Sequence, residues 1–201
     1  MELFAQFAVA LIILTSSSML LFRQWRVCLF MLALQYIGIF ILISLSWSLE
    51  MAIVKLLTGW VAAAVLGFSM ASITLSPQPS LKSANLQPIL HSETLIYFSL
   101  VGLVLLVVFS VVPAFLSWEV GISPQQVYGG FALMVISALH LTLTQHPFRL
   151  FLGLLSFLSG VEVIYAAIEG SVLVAALFTV IQLSLALAGS YLIVGYPLQE
   201  S

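Results

Sequence analysis

The sequence predicts an all-α fold, a polytopic membrane bundle of about seven transmembrane helices. Hydrophobic residues make up 63% of the chain and charged residues 6%, whereas a typical soluble domain is about 25% charged. The mean hydropathy is +1.25. Five Lys and Arg residues with seven acidic residues cannot cover 201 residues in water. This composition excludes a soluble enzyme and a nucleic-acid-binding protein.

Seven apolar segments are long enough to cross a hydrocarbon core of about 30 Å, which takes about 20 helical residues. In chain order they cover residues 3–22, 27–48, 51–75, 94–117, 124–145, 150–168 and 171–194. Helices are expected because backbone groups in lipid must be satisfied within the segment, and the alternation of barrel strands is absent. The first segment lacks a basic start and a cleavage site, so we expect a retained span and not a signal peptide.

Short breaks in the apolar pattern justify the boundaries between the segments. The third segment ends in a proline- and serine-rich run that opens the one long loop, residues 76–93. Ser123 is expected to be the N-cap of the fifth helix, with Pro124 in its first position. The remaining breaks fall at residues 23–26, 146–147, 169–171 and 195–197.

The charges at the ends of the spans predict the orientation of the chain. If the spans alternate, four basic residues share a side with the C-terminus: Arg23, Arg26, Lys82 and Arg149. The opposite side holds four acids and no base: Glu2, Glu50, Glu119 and Glu169. Lysine and arginine are retained in cytoplasmic loops. We therefore expect an N-terminus outside and a C-terminus inside a bacterial cytoplasmic membrane or an equivalent energy-transducing membrane.

The chain divides into a first three-helix unit at residues 1–75, a loop with a linking fourth helix at 76–123, and a second three-helix unit at 124–201. A single linking helix gives both units the same direction, as in a parallel repeat. The spacing of polar residues favours such a repeat, because 127 residues separate both Gln35 from Glu162 and Lys55 from Gln182. A chance alignment of polar positions is the alternative.

Two charged residues lie inside the predicted spans, where each costs about 2.5–3.5 kcal/mol to insert. Glu162 in the sixth span is either a protonatable carboxylate on a proton or cation path, or a neutral acid hydrogen-bonded to another helix. Lys55 in the third span either pairs with Glu162, which requires the third and sixth helices to touch, or extends its long stem to the headgroups.

Three uncharged residues complete the candidate proton path. Gln35 and Gln182 either lie on the path or join helices by hydrogen bonds. His140, near the inner end of the fifth span, either relays protons or is an interfacial or core histidine. The chain has no aspartate, and its single cysteine, Cys28, is expected to be a packing residue. We therefore predict no metal site and no cofactor.

The segment from Arg149 to Glu162 resembles the small K-type membrane subunit of complex I and the C subunit of Mrp-type cation/proton antiporters. It contains a basic turn, an apolar run and a glutamate in the middle helix of the unit. The whole chain is similar to the E component of membrane-bound hydrogenases of the formate-hydrogenlyase type. That family has about this length and number of spans, and it carries a lysine where this chain has Lys55 in the run AIVKLL.

The resemblance implies a non-catalytic membrane subunit, surrounded by lipid and by large antiporter-like subunits, that contributes polar residues to a proton path. Glu162 matches the acid of the middle helix. Gln182 stands where the K-type subunit has a second glutamate, and Gln35 likewise replaces an acid, which implies that part of the chemistry has been lost. The alternatives are a structural accessory subunit of an energy-converting complex without a transport role, and a stand-alone secondary transporter.

Overall fold

The computed structural model describes residues 2–22, 24–75, 91–118 and 121–195, which contain helices and no strand. The helices are α1 (Glu2–Leu21), α2 (Trp25–Ile43), α3 (Leu49–Leu75), α4 (His91–Trp118), α5 (Pro124–Leu143), α6 (Pro147–Ile168) and α7 (Val172–Gly195). Each is long and apolar enough to cross a membrane. The predicted seven-helix membrane bundle is therefore confirmed. Residues 76–90 of the predicted loop, with Lys82, and the orientation residues Arg23 and Glu119 lie outside the described residues.

The second helix ends at Ile43, earlier than the predicted end at residue 48. The N–H groups of Leu45 and Ser46 donate to carbonyl oxygens three residues earlier, at 3.2 and 3.1 Å. These shorter hydrogen bonds tighten the chain beyond the last α-helical turn and satisfy carbonyls that the helix leaves open. The tight turn joins α2 to α3 as a hairpin.

Prolines open both α5 and α6. Pro124 and Pro147 occupy the first helical turn, where a missing N–H costs no helical hydrogen bond. α6 therefore begins three residues before the predicted start at residue 150. Ser123 holds the expected N-cap position, but its hydroxyl donates to Gln125 Oε1 at 2.9 Å and makes no capping bond to the backbone. The predicted cap is thus right in position and wrong in its hydrogen bond.

Helices α1–α3 and α5–α7 form two stacked rows in which corresponding helices face each other. α1 packs against α5, α2 against α6 and α3 against α7, and consecutive helices within each row are in contact. α4 lies outside the rows and packs mainly on α5. α6 has the largest buried share of the seven spans, whereas α4 and α7 have the smallest. The helix that carries Glu162 is therefore the most enclosed.

The two rows correspond at a spacing that differs from the one predicted from polar residues. α5 begins at residue 124 and α1 at residue 2, while α6 begins at 147 and α2 at 25, a separation of 122 in both cases. At this spacing Gly38 corresponds to Gly160, and both lie at a close crossing with the preceding helix. A Cβ on Gly38 would lie 3.2 Å from the carbonyl oxygen of Ala8, and one on Gly160 would lie 3.0 Å from that of Gly130. Small residues at both crossings let the backbones approach.

Candidate functional site

The ends of the bundle are identified by contacts between distant turns. Trp47 Nε1 donates to the carbonyl oxygen of Glu169 at 3.1 Å, which brings the α2–α3 turn beside the α6–α7 turn. We name this the acidic end. At the other end, the Arg149 side chain donates to two of the last carbonyl oxygens of α1, at 3.0 and 3.1 Å. We name this the basic end, and it also holds Arg26, at the start of α2.

A buried ion pair joins the two rows in the half of the bundle toward the acidic end. Lys55 on α3 and Glu162 on α6 contact each other through Nζ and Oε2, and each residue is 2% exposed or less. The Lys55 ammonium also donates to Gln182 Oε1 on α7. Gln182 Nε2 in turn donates to Glu162 Oε2 at 3.3 Å. The three side chains close a triangle. Of the two alternatives for Lys55, the structure has the contact with Glu162 and not the extension to the headgroups.

The triangle forms although α3 packs mainly against α2 and α7. The long stem of Lys55 covers the remaining distance to α6. Removing two charges from water costs several kcal/mol per ion, and their attraction offsets this cost only when further hydrogen bonds satisfy the remaining polar atoms. Gln182 makes a hydrogen bond to each charge, because its amide oxygen accepts from the ammonium and its amide nitrogen donates to the carboxylate.

Two further polar residues extend the triangle toward the basic end. Gln182 Nε2 donates to Ser159 Oγ at 3.1 Å, and Ser159 Oγ lies 3.3 Å from the hydroxyl oxygen of Tyr36. Both residues are buried. Sequence reasoning gave neither residue a place on the path, although Ser159 lies three residues before Glu162 and Tyr36 directly follows Gln35. Those spacings are the signal that could have found them.

Polar side chains line one side of α6 at intervals of three residues, as Ser156, Ser159 and Glu162 do, which places them above one another along the helix. We name these three residues the α6 polar row. Ser156 Oγ donates to Gln35 Oε1 on α2 at 3.5 Å. Gln35 Nε2 and Glu162 Oε1 have no hydrogen-bond partner within the described residues. Gln35 is therefore joined to the row but not to the ion pair itself.

His140 lies nearer the basic end than the α6 polar row. It is 3% exposed, and a Cβ on Gly153 of α6 would lie 3.3 Å from its Cδ2 atom. Of the five residues predicted for the path, Lys55, Glu162 and Gln182 are thus in mutual contact. Gln35 contacts the same row. His140, on α5, stands apart from the ion pair beside Gly153 of α6, which lies about one helical turn before Ser156.

A separate cavity of about 390 Å³ lies between α1, α4 and α5. Apolar side chains such as Ile13, Val108 and Phe109 dominate its lining, which includes no acidic or basic residue. No group of three His, Cys, Asp or Glu side chains that could hold a metal ion occurs in the described ranges. The buried acidic and basic side chains of the described residues are Lys55 and Glu162, which form the ion pair, and His140.

Comparison with known proteins found no match to any protein family, curated protein or solved structure. The class of the protein therefore rests on its own fold and site. Seven helices of membrane-spanning length and composition enclose one buried Lys–Glu pair that joins two stacked rows. The chain is an integral membrane protein by that description.

Proposed function

We propose that this chain is a non-catalytic membrane subunit of a proton-translocating complex of the complex-I-like or antiporter-like kind. In this proposal Glu162 and Lys55 are the ionisable groups of a proton path, and Gln182, Gln35 and His140 are its uncharged polar neighbours. The orientation expected from the basic residues places the basic end in the cytoplasm.

The observation that carries the proposal is the ion pair in the interior of a membrane bundle. Ionisable residues at such depth are costly and mark ion pathways by default. The carboxylate of Glu162 has one oxygen engaged by Lys55 and Gln182 and a second oxygen, Oε1, without a partner within the described residues. A buried acid that gains and loses protons requires an oxygen atom that can take up the proton, and Oε1 provides one.

A second candidate, a structural accessory subunit, is favoured by the same triangle. Lys55 neutralises Glu162 and Gln182 bonds to both, so the pair also serves to hold α3, α6 and α7 together. Under this candidate the charges fix the packing of the helices, and no proton moves through them.

The experiment that separates the candidates begins with purification of the full chain from its native membrane in mild detergent, followed by identification of the copurifying subunits. Proton uptake is then measured in membrane vesicles that carry Glu162→Gln. The matched control is Glu169→Gln, which changes an exposed acid on the same α6 hairpin. We expect Glu162→Gln to lower proton uptake by about tenfold or more, with assembly intact, and Glu169→Gln to leave it unchanged.

Unchanged proton uptake in an intact complex that carries Glu162→Gln contradicts the proposed path and supports the accessory role. Recovery of the chain without partners, together with transport by the purified chain in liposomes, contradicts both candidates and supports a stand-alone transporter. Copurification with hydrophobic antiporter-like subunits supports the proposed assembly independently of the mutations.

A further inference from the structure

A second group of buried polar side chains surrounds a small cavity between the ion pair and the basic end. The cavity measures about 10 Å³ and is lined by residues of α1, α5 and α6. Its polar lining residues are Ser16, Ser137, His140 and Ser156, each at most 4% exposed. None of them belongs to the triangle of Lys55, Glu162 and Gln182.

Three polar atoms at this cavity have no hydrogen-bond partner within the described residues. They are the hydroxyl oxygens of Ser16 and Ser137 and the Nε2 atom of His140. A buried polar atom that leaves water without a new partner carries the full cost of its desolvation. Native proteins avoid this cost by pairing such atoms with protein groups or with ordered water. Three unpartnered atoms around one small space therefore point to a shared partner within it.

The size and chemistry of the cavity identify that partner as water. A cavity needs a volume of roughly 10–15 Å³ to hold a water molecule, and the water needs two to four polar partners. The cavity provides space for one molecule, and it offers hydroxyl groups and an imidazole nitrogen that can donate or accept. A metal cation would lack a carboxylate or thiolate ligand here, because no acid or cysteine lines the cavity.

We propose that one water molecule occupies this cavity and bridges His140 Nε2 to the hydroxyl groups of Ser16, Ser137 and Ser156. Its transport role rests on the proposed function, because the water would connect His140 to the α6 polar row that leads to Glu162. Ser156 is the first member of that row, and Ser159 follows after a rise of about 4.5 Å along the helix. The bound water thus completes a polar connection from the basic end to the ion pair.

The water is tested directly by solid-state NMR on the full chain in lipid bilayers, with ¹⁵N-labelled histidine. Magnetisation transfer from water protons to Nε2 of His140 is the readout, and loss of the signal in His140→Gln assigns it. We expect a transfer signal in the unmodified chain. Ser137→Val fills the cavity and should reduce the signal by about tenfold. Thr15→Val is the matched control, since Thr15 is a buried residue of α1 outside this cavity, and its hydroxyl donates to carbonyl oxygens of its own helix.

If Ser137→Val fails to fold, Ser137→Ala replaces it, because alanine leaves the space open and removes one of the partners of the water. The transfer signal should then weaken and the water should exchange faster. No water-to-Nε2 transfer in the unmodified chain overturns the proposal, as does a signal of equal strength in Ser137→Val.

Failure of this proposal is distinguishable from failure of the proposed function. A water signal at His140 with unchanged proton uptake in Glu162→Gln supports the water site and contradicts the proton path. Loss of proton uptake in Glu162→Gln without any water signal supports the path and contradicts the water site. If both hold, Ser137→Val should lower proton uptake by about tenfold while Thr15→Val does not.

Discussion

The two three-helix rows share a backbone plan and differ in the polar groups that they bury. α1–α3 and α5–α7 correspond in helix order and, for their first two helices, in start positions and in the close crossing at Gly38 and Gly160. The first row buries an amine, Lys55, and the second buries an acid, Glu162. Among the described residues, neither row contains an oppositely charged side chain in contact with its own buried charge, so each charge is neutralised only when the rows stack.

This difference shows that the ion pair is a feature of the interface between the rows and of neither row alone. An apolar surface in lipid gains little from burial against another apolar surface, so close packing and polar contacts decide which helices associate. The Lys55–Glu162–Gln182 triangle provides a specific polar contact between the rows. The predictions below test how far that contact, and not the shared backbone plan, holds the rows together.

The largest expected effect comes from removing one member of the ion pair. Lys55→Met or Glu162→Gln leaves a buried group without its partner and should lower the free energy of unfolding by about 3–5 kcal/mol. The double variant removes both charges and should recover most of this loss. Reversible unfolding in mixed micelles gives the free energy of unfolding of the unmodified chain, the two single variants and the double variant. Additive effects of the two substitutions would contradict an energetic pairing.

Arg149 makes a charged contact between the rows at the basic end. Its guanidinium donates to two final carbonyl oxygens of α1, and charged hydrogen bonds contribute about 1.5–3 kcal/mol. Arg149→Met should lower the free energy of unfolding by that amount, whereas Arg26→Met, which changes an arginine outside this contact, should have little effect. Equal effects of the two substitutions would show that the carbonyl contacts do not stabilise the rows.

The glycine crossings test the shared backbone plan itself. A Cβ on Gly160 would meet the backbone nitrogen of Met134 at 2.9 Å, and the backbone there cannot yield. A Cβ on Gly38 would meet first the side chain of Ile12, which can rotate away. Gly160→Ala should therefore cost about 1–3 kcal/mol, and Gly38→Ala should cost less. Thermal unfolding in detergent compares the two, and a larger loss in Gly38→Ala would contradict the described crossings.

The smallest expected effect distinguishes the two buried amides. Gln182 bonds to both ions, so Gln182→Leu should lower the free energy of unfolding by about 1–3 kcal/mol. Gln35 makes one long bond to Ser156 and has an unpartnered Nε2. Gln35→Leu should change stability by only about 0.5 kcal/mol, because leucine fills similar space without an unsatisfied group. A larger loss in Gln35→Leu than in Gln182→Leu would reverse the assigned importance of the amides.

Several features of the fold could be predicted from local sequence. The number of spans follows from segment length and hydropathy, since lipid permits little besides helices there. The start of α5 at Pro124 follows from the chemistry of helix termini, as do the helix ends at turns that contain glycine or charged residues. The end of α2 could not be predicted, because Leu45 and Trp47 alternate with serines through the tight turn after Ile43 and hydropathy does not register the change in hydrogen bonding.

The repeat shows where pattern reasoning on a single chain fails. The spacing of 127 residues aligned Lys55 with Gln182 as equivalent positions, yet these residues are hydrogen-bond partners. α3 begins at residue 49 and α7 at residue 172, a separation of 123, so the counterpart of Lys55 in the second row is Phe178. Polar residues that recur at one depth in a membrane do so either because they are copies or because they meet, and sequence spacing does not distinguish the two.

The sequence by itself determined that this chain is a bundle of membrane-length helices with one amine and one acid inside its predicted spans. Length, hydropathy and the cost of charge in lipid are local properties, and each span carries them without its neighbours. Only the tertiary structure decided that Lys55 on α3 reaches Glu162 on α6, that Gln182 bonds to both, and that Ser16, Ser137 and His140 converge on one small cavity. These contacts depend on the rotation and stacking of helices, which many weak packing interactions set together and no single segment encodes.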